Sequence, residues 1–579
     1  MVQAYVSSNS EQFTGINDWK SIVTLVVFFL TNLTIIFPFR VPLPKVAVSV
    51  IHFGLVKCRV VPHTPEPLRQ QYFPVNFLTA PTIAVLSLLA CKAINSSVLR
   101  LGILGADGVE PINIMALFIS LAYLSISLDT TGLLRFLALW VVKRCGSSGR
   151  KLHLYLYLFF LTCATIVGND PVILSGTAFL AYLTRISGIS PPTAWIFSQF
   201  AAANMGSVVL ISSNPTNLVL SGAFSLSFAT YTSSVILPFL AAALIVYPFL
   251  SVVLFRSTVF IPPRIELSGN DAEGGIDHPS SALSDKTGAI FGSILLLVTL
   301  GVLVGTSTVG VPVWQVAVPP AAMMLSHDIW RDWRCCRAHW SVSQEQQVEQ
   351  VGLPSPTTVH APVELRTLPP SASQLDVHKP GNDSKPRWTL SSLLSTFIYR
   401  YAQMLPTAHA VFQKLPLTLV PFAFLMFILV QGLASQGWVH VFAGWWETWV
   451  NKTGVIGAVA GMVIGSGLLC NICGTNIGTT ILLARMLQKW ESLGKPVATD
   501  VRYASVYGLA LGSNYGAFTL TFSASLAGLL WRNILGQKGV HVWQSQFAQM
   551  NLGTFVIASL ASGTVLIGQM LVVHHRDDR

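Results

Sequence analysis

The sequence predicts an all-α polytopic membrane protein of two inverted repeats, with about 10–11 spans of roughly 20 apolar residues each. Hydrophobic residues make up 52% of the 579 residues and charged residues only 10%, whereas soluble chains carry about 25% charged residues. Four apolar segments are interrupted by short polar sequences, two in each half of the chain. Basic residues are concentrated in a few loops, as expected of cytoplasmic loops. We therefore predict one re-entrant hairpin and one broken transmembrane helix in each repeat.

Composition also limits the function classes. The formal net charge of +11 lies mostly in loops, which indicates membrane topology and contact with anionic lipid and argues against a nucleic-acid partner. The eight cysteines show neither zinc-ligand spacing nor a secreted disulfide pattern, so no metal site is predicted. Residues 1–20 are polar and precede the first apolar run, so no cleavable signal peptide is expected.

No enzyme chemistry is predicted. The phosphate-binding Gly-x-x-x-x-Gly-Lys-Ser/Thr motif is missing from the sequence, which argues against ATP hydrolysis by this chain and leaves a separate ATPase subunit open. An intramembrane hydrolase would need a Ser–His pair, two deep aspartates or a metal motif, and only Asp170 is predicted to lie deep. We therefore expect no catalytic residues.

The first re-entrant hairpin is predicted between Arg150 and Arg185. Two apolar arms, 152–167 and 172–183, flank the turn Gly-Asn-Asp-Pro at 168–171. As helices the arms would be roughly 24 Å and 18 Å long, short of the roughly 30 Å hydrocarbon layer. Positive charge at both outer ends places both on the cytoplasmic side. A polar turn at this depth must be buried in protein or line a wet cavity.

The first broken helix follows this hairpin. The apolar run 194–211 is interrupted at 212–217, Ser-Ser-Asn-Pro-Thr-Asn, and resumes at Leu218. Asn214 and Pro215 fit the N-cap and the first position of a new helix, as Asp170 and Pro171 do in the hairpin. Two helix N-termini would then point partial positive charge into the membrane interior, which suits an anion or an oxygen-rich solute.

The second half carries the same pattern. Arms 455–469 and 477–487 flank Cys-Asn-Ile-Cys-Gly-Thr-Asn at 470–476, and the apolar segment 501–530 is predicted to break at 512–516, Gly-Ser-Asn-Tyr-Gly. Asn169 and Asn214 are 45 positions apart, and Asn471 and Asn514 are 43 apart, so the four clusters are treated as matched. Paired interruptions of this kind are the best sequence pointer to a transporter binding site.

The chain is divided into five predicted parts. They are a first span with an interfacial segment (1–72), the first transporter repeat (73–256), a loop with a connecting pair of spans (257–330), a disordered cytoplasmic linker (331–405) and the second transporter repeat (406–579). The linker assignment rests on its richness in Pro, Ser and Gln. A Trp-rich stretch, 438–449, is expected at the membrane interface.

Polar residues at the four interruptions form the candidate site. Their amides and hydroxyls can bind oxyanions or complete a sodium shell, and each one alone is equally compatible with a helix cap or an interhelical hydrogen bond. The predicted substrate- or ion-binding residues are Asn169, Asp170, Ser213, Asn214, Thr216, Asn217, Asn471, Thr475, Asn476, Ser513 and Asn514.

Asp170 is the most informative of these residues, because an acidic residue at membrane depth is a functional hypothesis by default. It could bind sodium, carry a proton or only cap a helix. Capping stabilises the ionised form and so favours a cation ligand over a proton carrier. Asp129, at the end of a span, is expected to be interfacial. Cys470 and Cys473, with Cys163, could offer thiols to trivalent arsenic, although packing as small apolar residues is the favoured interpretation.

Several stretches carry a family resemblance. They are Leu-Asp-Thr-Thr-Gly-Leu at 128–133, Gly-Ser-Ser-Gly-Arg-Lys-Leu at 146–152, Asn-Asp-Pro-Val-Ile-Leu at 169–174, and 512–516 followed by Ser-Ala-Ser-Leu-Ala-Gly-Leu-Leu-Trp at 523–531. Together they resemble the arsenical pump membrane protein family, which belongs with citrate-transporter-like proteins to a wider ion-transporter superfamily. The resemblance implies inverted repeats, hairpins that meet near the midplane, alternating access and, in many members, dimers. Pro171 and the Cys-rich second tip depart from the usual pattern.

The expected function is secondary active transport of a small anion or oxyanion, with arsenite-like efflux coupled to an ion gradient as the leading hypothesis. A sodium- or proton-coupled di- or tricarboxylate (citrate-like) or sulfate transporter is the first alternative, and an ion channel is the alternative from another class. No Arg or Lys lies at the predicted breaks. That fits a neutral or weakly charged solute such as arsenous acid and also allows an anion held by amides and helix ends.

The expected partners and location follow from the same sequence features. No organic cofactor is expected, and Na+ or H+ is the expected coupling ion. Expected partners are a small inorganic or carboxylate solute, membrane lipid and a second copy in a homodimer. The expected location is a multi-pass position in a membrane, the plasma membrane ahead of an internal one.

Overall fold

A computed structural model describes residues 16, 18–62, 70–105, 109–265, 282–306, 311, 313–351, 389–493 and 497–577. Regular structure in these ranges is helical apart from two paired strands, Phe39–Pro42 (β1) and Tyr72–Val75 (β2). Eight of the helical segments are long and apolar enough to cross a membrane. The predicted class, an all-α multi-pass integral membrane protein, is confirmed.

Helices of the N-terminal part run as far as residue 248. In chain order they are α1 (Trp19–Ile36), α2 (Lys45–Lys57), α3 (Thr79–Ala90), α4 (Ser96–Leu104), α5 (Pro111–Thr130), α6 (Leu133–Cys145), α7 (Gly149–Val167), α8 (Asn169–Ile186), α9 (Thr193–Gly206), α10 (Pro215–Ala223) and α11 (Phe228–Pro248). A π-helix, Phe249–Leu254, continues α11.

The helices of the C-terminal part begin at residue 286. Its helices are α12 (Lys286–Thr306), α13 (Val313–Val351), α14 (Leu390–Met404), α15 (Pro406–Lys414), α16 (Leu419–Ser435), α17 (Trp438–Leu469), α18 (Asn476–Glu491), α19 (Thr499–Tyr515), α20 (Leu526–Gln537) and α21 (Gln544–Asp577).

The chain divides into two compact units. The first comprises residues 1–41, 73–326 and 410–579 and contains every hairpin and broken helix discussed below. The second comprises residues 42–72 and 327–409. Within this second unit the carboxylate of Asp332 accepts hydrogen bonds from the backbone N–H groups of Thr407 (2.9 Å) and Ala408 (3.1 Å), at the start of α15.

Those contacts bear on the predicted linker, 331–405. Its two ends are helical, because α13 continues to Val351 and α14 occupies Leu390–Met404. Thr389 and Ser392 form a capping box that starts α14, and such reciprocal bonds stabilise a helix start. Disorder is therefore the wrong expectation at both ends, while residues 352–388 lie outside the described residues. The five-part division itself stays a prediction.

The first hairpin consists of α7 and α8. Gly168 joins them with a φ of 100°, a conformation that glycine adopts without steric cost. A Cβ placed on Gly176 would lie 2.7 Å from the ring of Phe160. Since these residues are equally far from Gly168, the two helices run antiparallel side by side, as the re-entrant hairpin requires.

The second hairpin consists of the C-terminal part of α17 and all of α18. A kink at Gly454 (φ 59°) separates the Trp-rich beginning of α17 from the hairpin arm. The arms pack against each other, and Thr475 caps α18 by accepting a hydrogen bond from the N–H of Gly478 at 3.2 Å. One hairpin is thus present in each half, as predicted.

The first broken helix is interrupted earlier than predicted. Helix α9 ends at Gly206 and α10 begins at Pro215, with a single 3-10 turn, Ile211–Ser213, between them. Asn217 explains how the break is tolerated: its amide donates to the carbonyls of Ser207 (2.7 Å) and Leu210 (2.9 Å). These carbonyls lack a continuing helix, and a buried carbonyl needs a partner.

The predicted break at 512–516 in the second half is wrong. Helix α19 continues to Tyr515, and the irregular stretch is 516–525, with 3-10 turns at Gly516–Phe518 and Phe522–Ala524. A Cβ on Gly512 would overlap Ser466 of α17, and one on Gly516 would overlap Cys470. These glycines therefore serve close helix packing, a common use of small residues in membranes, and do not end the helix.

Candidate functional site

Asn514, in the last turn of α19, connects the two broken helices. Its Oδ1 accepts hydrogen bonds from Nδ2 of Asn214 (2.8 Å) and Oγ of Ser207 (3.2 Å). Its Nδ2 donates to Oδ1 of Asn217 and to the carbonyl of Ala510, both at 2.8 Å. Because an amide has two donors and two acceptor lone pairs, this set uses the hydrogen-bonding capacity of the Asn514 side chain in full.

The partners of Asn514 also hold the start of α10. Asn214 is the N-cap and accepts from the N–H of Thr216 at 3.1 Å, while the hydroxyl of Thr216 donates to Oδ1 of Asn217 at 3.4 Å. Asn214, Thr216, Asn217 and Asn514 are all buried. Four predicted site residues therefore meet in one network. In this conformation their hydrogen bonds are made to other groups of the protein.

The first hairpin tip is tied to the first break. Nδ2 of Asn169 approaches Oδ1 of Asn204 on α9 at 3.4 Å. The hydroxyl of Ser213 donates to the carbonyl of Thr165 at 2.6 Å. A Cβ on Gly168 would lie 3.1 Å from the carbonyl oxygen of Ser213, so glycine permits this close approach of tip and break.

A small cavity of about 30 Å³ lies at this junction, lined by residues of α5, the hairpin tip and the break. Asp170 lines it and has no hydrogen-bond or ion-pair partner among the residues that the structure describes. The hydroxyl of Ser212, which also lines it, is buried without a partner. Asn169, Ser125 and Ser213 are the other polar residues of its described lining, which contains no basic residue. The volume suits a single water or cation.

The second hairpin tip is tied to the second break in a comparable way. Oδ1 of Asn471 accepts from the N–H and the hydroxyl of Thr521, both at 2.9 Å. Its Nδ2 donates to the hydroxyl of Thr519 at 2.8 Å. Thr475, Asn476 and Ser513 are buried near this tip. Within the described ranges no hydrogen bond joins Asn471, Thr475 or Asn476 to Asn514, so the structure forms one junction per repeat and joins the repeats through Asn514.

The structure also changes which residues correspond between the repeats. Asn214 starts a second half-helix, whereas Asn514 ends a first half-helix, so their similar spacing from the hairpin tips does not make them equivalent. Ser525 takes the place of Asn214, because it caps α20 by accepting from the N–H of Gly528 at 2.9 Å. Asn204, near the end of α9, takes the place of Asn514.

Sequence reasoning missed Asn204, Ser207, Thr519, Thr521 and Ser525. A signal for Asn204 exists, since Gln199 and Asn204 interrupt an apolar run. Buried amides of this kind are costly unless they are hydrogen-bonded. Both are bonded: Gln199 accepts from the hydroxyl of Thr177 at 3.1 Å, and Asn204 donates to the carbonyl of Phe200 at 2.9 Å.

A family model described as "Citrate transporter" matches residues 20–498. The chain belongs to the citrate transporter family. Its class, a membrane transporter, follows from this membership together with the eight candidate spans. The resemblance drawn from the sequence is thereby confirmed at the level of the family.

Curated relatives of this citrate transporter family member carry the name arsenical pump membrane protein. Two from Escherichia coli are 29% identical over 216 residues and 30% identical over 220 residues, each alignment covering 37% of this chain and 48% of the relative. One from Yersinia enterocolitica is 28% identical over 233 residues, or 40% of this chain and 52% of the relative. The chain thus spans about half the length of the curated relatives it matches.

Among solved structures, the YdaH transporter of Alcanivorax borkumensis is similar to this citrate transporter family member over 95% of this chain and 96% of that one. The sequence identity is 12% and the TM-score is 0.48.

Asp129 of this citrate transporter family member lies at the end of α5 and is buried within the protein, and its position at the membrane interface stays a prediction. Its carboxylate accepts a hydrogen bond from the hydroxyl of Ser175 in α8 and pairs with Nζ of Lys414 at 3.3 Å. The pair therefore links a span of the first half, a hairpin arm and the helix that leads into the second half.

The cysteines at the second tip fit packing. Cys470 and Cys473 are buried, and the thiol of Cys470 donates to the carbonyl of Ser466 at 3.1 Å. Among the described residues no group of three or more His, Cys, Asp or Glu side chains could hold a metal ion.

Proposed function

We propose that this protein is a secondary active transporter that exports a small, neutral or weakly charged, oxygen-rich solute of the arsenous acid type, and that Asp170 binds the coupling cation. The observation that carries the proposal is the carboxylate of Asp170, which has no partner among the described residues and lies in a cavity whose described lining contains no basic residue. A buried carboxylate without a partner is costly, and a bound cation would offset that cost.

The charge balance of the cavity supports this solute class. Helices α8 and α10 both begin at the cavity, at Asn169 and Pro215, and each helix N-terminus carries about +0.5 elementary charge. Two such ends offset the single negative charge of Asp170. A site that is close to neutral suits a neutral solute or one small cation and disfavours a citrate-like anion of several charges.

The hydrogen-bond network supplies a mechanism for coupling. Asn514 ties α10 to α19, so the two broken helices move together. Bonds of Asn169, Ser213 and Asn471 tie each hairpin tip to the break of its own repeat. A cation bound to Asp170 would take further oxygen ligands from Asn169, Ser212 and Ser213. It would thereby hold the first hairpin tip against the first break, and its release would weaken that contact.

A transport assay with the purified full chain in proteoliposomes tests the proposal. Arsenite, citrate, succinate and sulfate are compared as solutes, each under an imposed sodium gradient, an imposed proton gradient and no gradient. We expect arsenite flux that saturates, is stimulated by arsenite on the opposite side and responds to one of the two gradients. Flux that neither saturates nor shows trans-stimulation would identify a channel and overturn the proposal.

A second candidate is sodium- or proton-coupled transport of a di- or tricarboxylate. The two helix N-termini at the cavity favour it, because helix ends bind carboxylates well. The same assay separates the candidates: carboxylate flux without arsenite flux would replace the arsenous acid assignment and leave the role of Asp170 open to the variant described in the Discussion.

A further inference from the structure

A second cavity, of about 280 Å³, lies apart from the hairpin tips, where α7 begins and α11 ends. Arg150 and Arg256 lie at it, together with Tyr247 and Ser251, and its remaining wall is apolar. Both arginine side chains are exposed. None of the described residues that line the cavity is acidic, so the two arginines have no competing carboxylate in the described part of its wall.

Local structure builds this cavity. The π-helix Phe249–Leu254 forms part of one wall, and π-helical turns occur frequently at functional sites. The opposite wall is fixed by backbone bonds that join the segment after the π-helix to the start of α7, including the N–H of Ile265 to the carbonyl of Ser147 at 2.8 Å. Helix α7 adds the partial positive charge of its N-terminus near Arg150.

The position of the cavity favours a lipid. The candidate membrane span Phe228–Leu254 ends at it, and the first hairpin arm, Gly149–Val167, begins at it. Val252, in its wall, is 66% exposed and its neighbour Val253 is 63% exposed, and exposed valines on a membrane span face acyl chains. The cavity therefore opens on its apolar side toward lipid and carries its arginines at the membrane boundary.

We propose that this cavity binds the phosphate-bearing head group of an anionic membrane lipid. Arg150 and Arg256 contact the phosphate, and an acyl chain runs along Val252. Arginine suits this role because its planar fork binds phosphate through two parallel hydrogen bonds. Basic pockets between spans on the cytoplasmic side are a known class of lipid head-group site. The inference does not depend on the transported solute.

The site has a route to the transport machinery. The ring of Tyr247 lies 5.7 Å from that of His153 and 5.2 Å from that of Tyr157, both on α7. His153 in turn hydrogen-bonds the hydroxyl of Ser198 on α9 at 3.0 Å. A lipid bound in the cavity would therefore be connected, through these side-chain contacts, to the first hairpin arm and to the first broken helix.

The test is native mass spectrometry of the purified full chain with phosphatidylglycerol and phosphatidylcholine of identical acyl chains. The test variant is R150Q/R256Q. The matched control is K143Q/R144Q, which removes two exposed charges from neighbouring α6. We expect wild type to retain one phosphatidylglycerol in preference to phosphatidylcholine, and the test variant to bind it about 30-fold more weakly, as two surface cations predict. The control should keep the preference.

Further comparisons distinguish a lipid phosphate from a soluble phosphate, and a loss of binding from a loss of folding. Equal losses in both double variants would show general surface attraction and overturn the proposal, as would equal binding of the two lipids by wild type. Protection from thermal unfolding by inorganic phosphate equal to that by phosphatidylglycerol would identify a soluble anion site and also overturn it. If R150Q/R256Q fails to fold, the single variant R256Q is used, and R150K/R256K should restore part of the binding because it retains both charges.

Discussion

Asn214 and Asn514 are 300 positions apart, and Nδ2 of Asn214 donates a hydrogen bond to Oδ1 of Asn514 at 2.8 Å. The bond joins the N-cap of one broken helix to the last turn of the other. Because both side chains are buried, the contact cannot be exchanged for water at low cost. It joins the central elements of the two repeats by a direct contact between side chains.

Replacing Asn514 with Ala should therefore destabilise the protein and impair transport. The change removes the 2.8 Å bonds of Asn514 to the amide of Asn214 and to Oδ1 of Asn217, which keep only bonds of 3.4 Å to Ser207 and Thr216. Each weakened buried group should cost up to about 1–3 kcal/mol. Thermal unfolding in detergent and flux in proteoliposomes measure the two effects. The control is Asn533→Ala on the exposed face of α20. Wild-type flux and stability in Asn514→Ala would contradict the role given to this network.

Replacing Asp170 with Asn tests the coupling cation. We expect the dependence of flux on the coupling gradient to fall by about tenfold, equivalent to about 1.4 kcal/mol of lost cation binding. Folding should be unaffected or slightly stabilised, because no partner of Asp170 is lost and a buried charge is removed. Glu110→Gln, at an exposed acid before α5, is the control. Unchanged gradient dependence in Asp170→Asn would remove Asp170 from the mechanism.

Replacing Gly512 with Ala tests close packing of the second hairpin against α19. The added Cβ would overlap Ser466 and the carbonyl of Val463, and such overpacking typically costs about 1–3 kcal/mol. Gly465→Ala on the facing helix α17 is the matched control, because a Cβ there meets nothing within 4 Å. Loss of thermal stability in Gly512→Ala alone is expected. Equal melting temperatures for the two variants would refute this packing.

Replacing Lys414 with Met tests the ion pair with Asp129. The carboxylate is 2% exposed and the lysine 35% exposed, so the loss should be about 1–3 kcal/mol, below that of a fully buried pair. A double-mutant cycle with Asp129→Asn isolates the pair. The double variant should recover part of the stability, since no unpaired charge remains. Strictly additive losses would show that the two residues do not interact.

The sequence by itself determined the fold class and the approximate positions of the interruptions. Apolar composition decides membrane insertion, and backbone polar groups at membrane depth must find partners. Short polar sequences such as 168–171 and 212–217 therefore mark hairpin tips and breaks. Caps such as Asn214 and Thr475 are likewise local, since each bonds an N–H two or three residues later.

Only the tertiary structure decided how glycines and amides are used. Gly512 and Gly516 have the appearance of helix breakers in the sequence, yet they lie inside or at the end of a continuous helix because Ser466 and Cys470 pack against them. The correspondence of Asn514 with Asn204, and the pairing of Asp129 with Lys414, were equally hidden. Such contacts join residues far apart in the chain, and local sequence signals reach only a few residues along a helix.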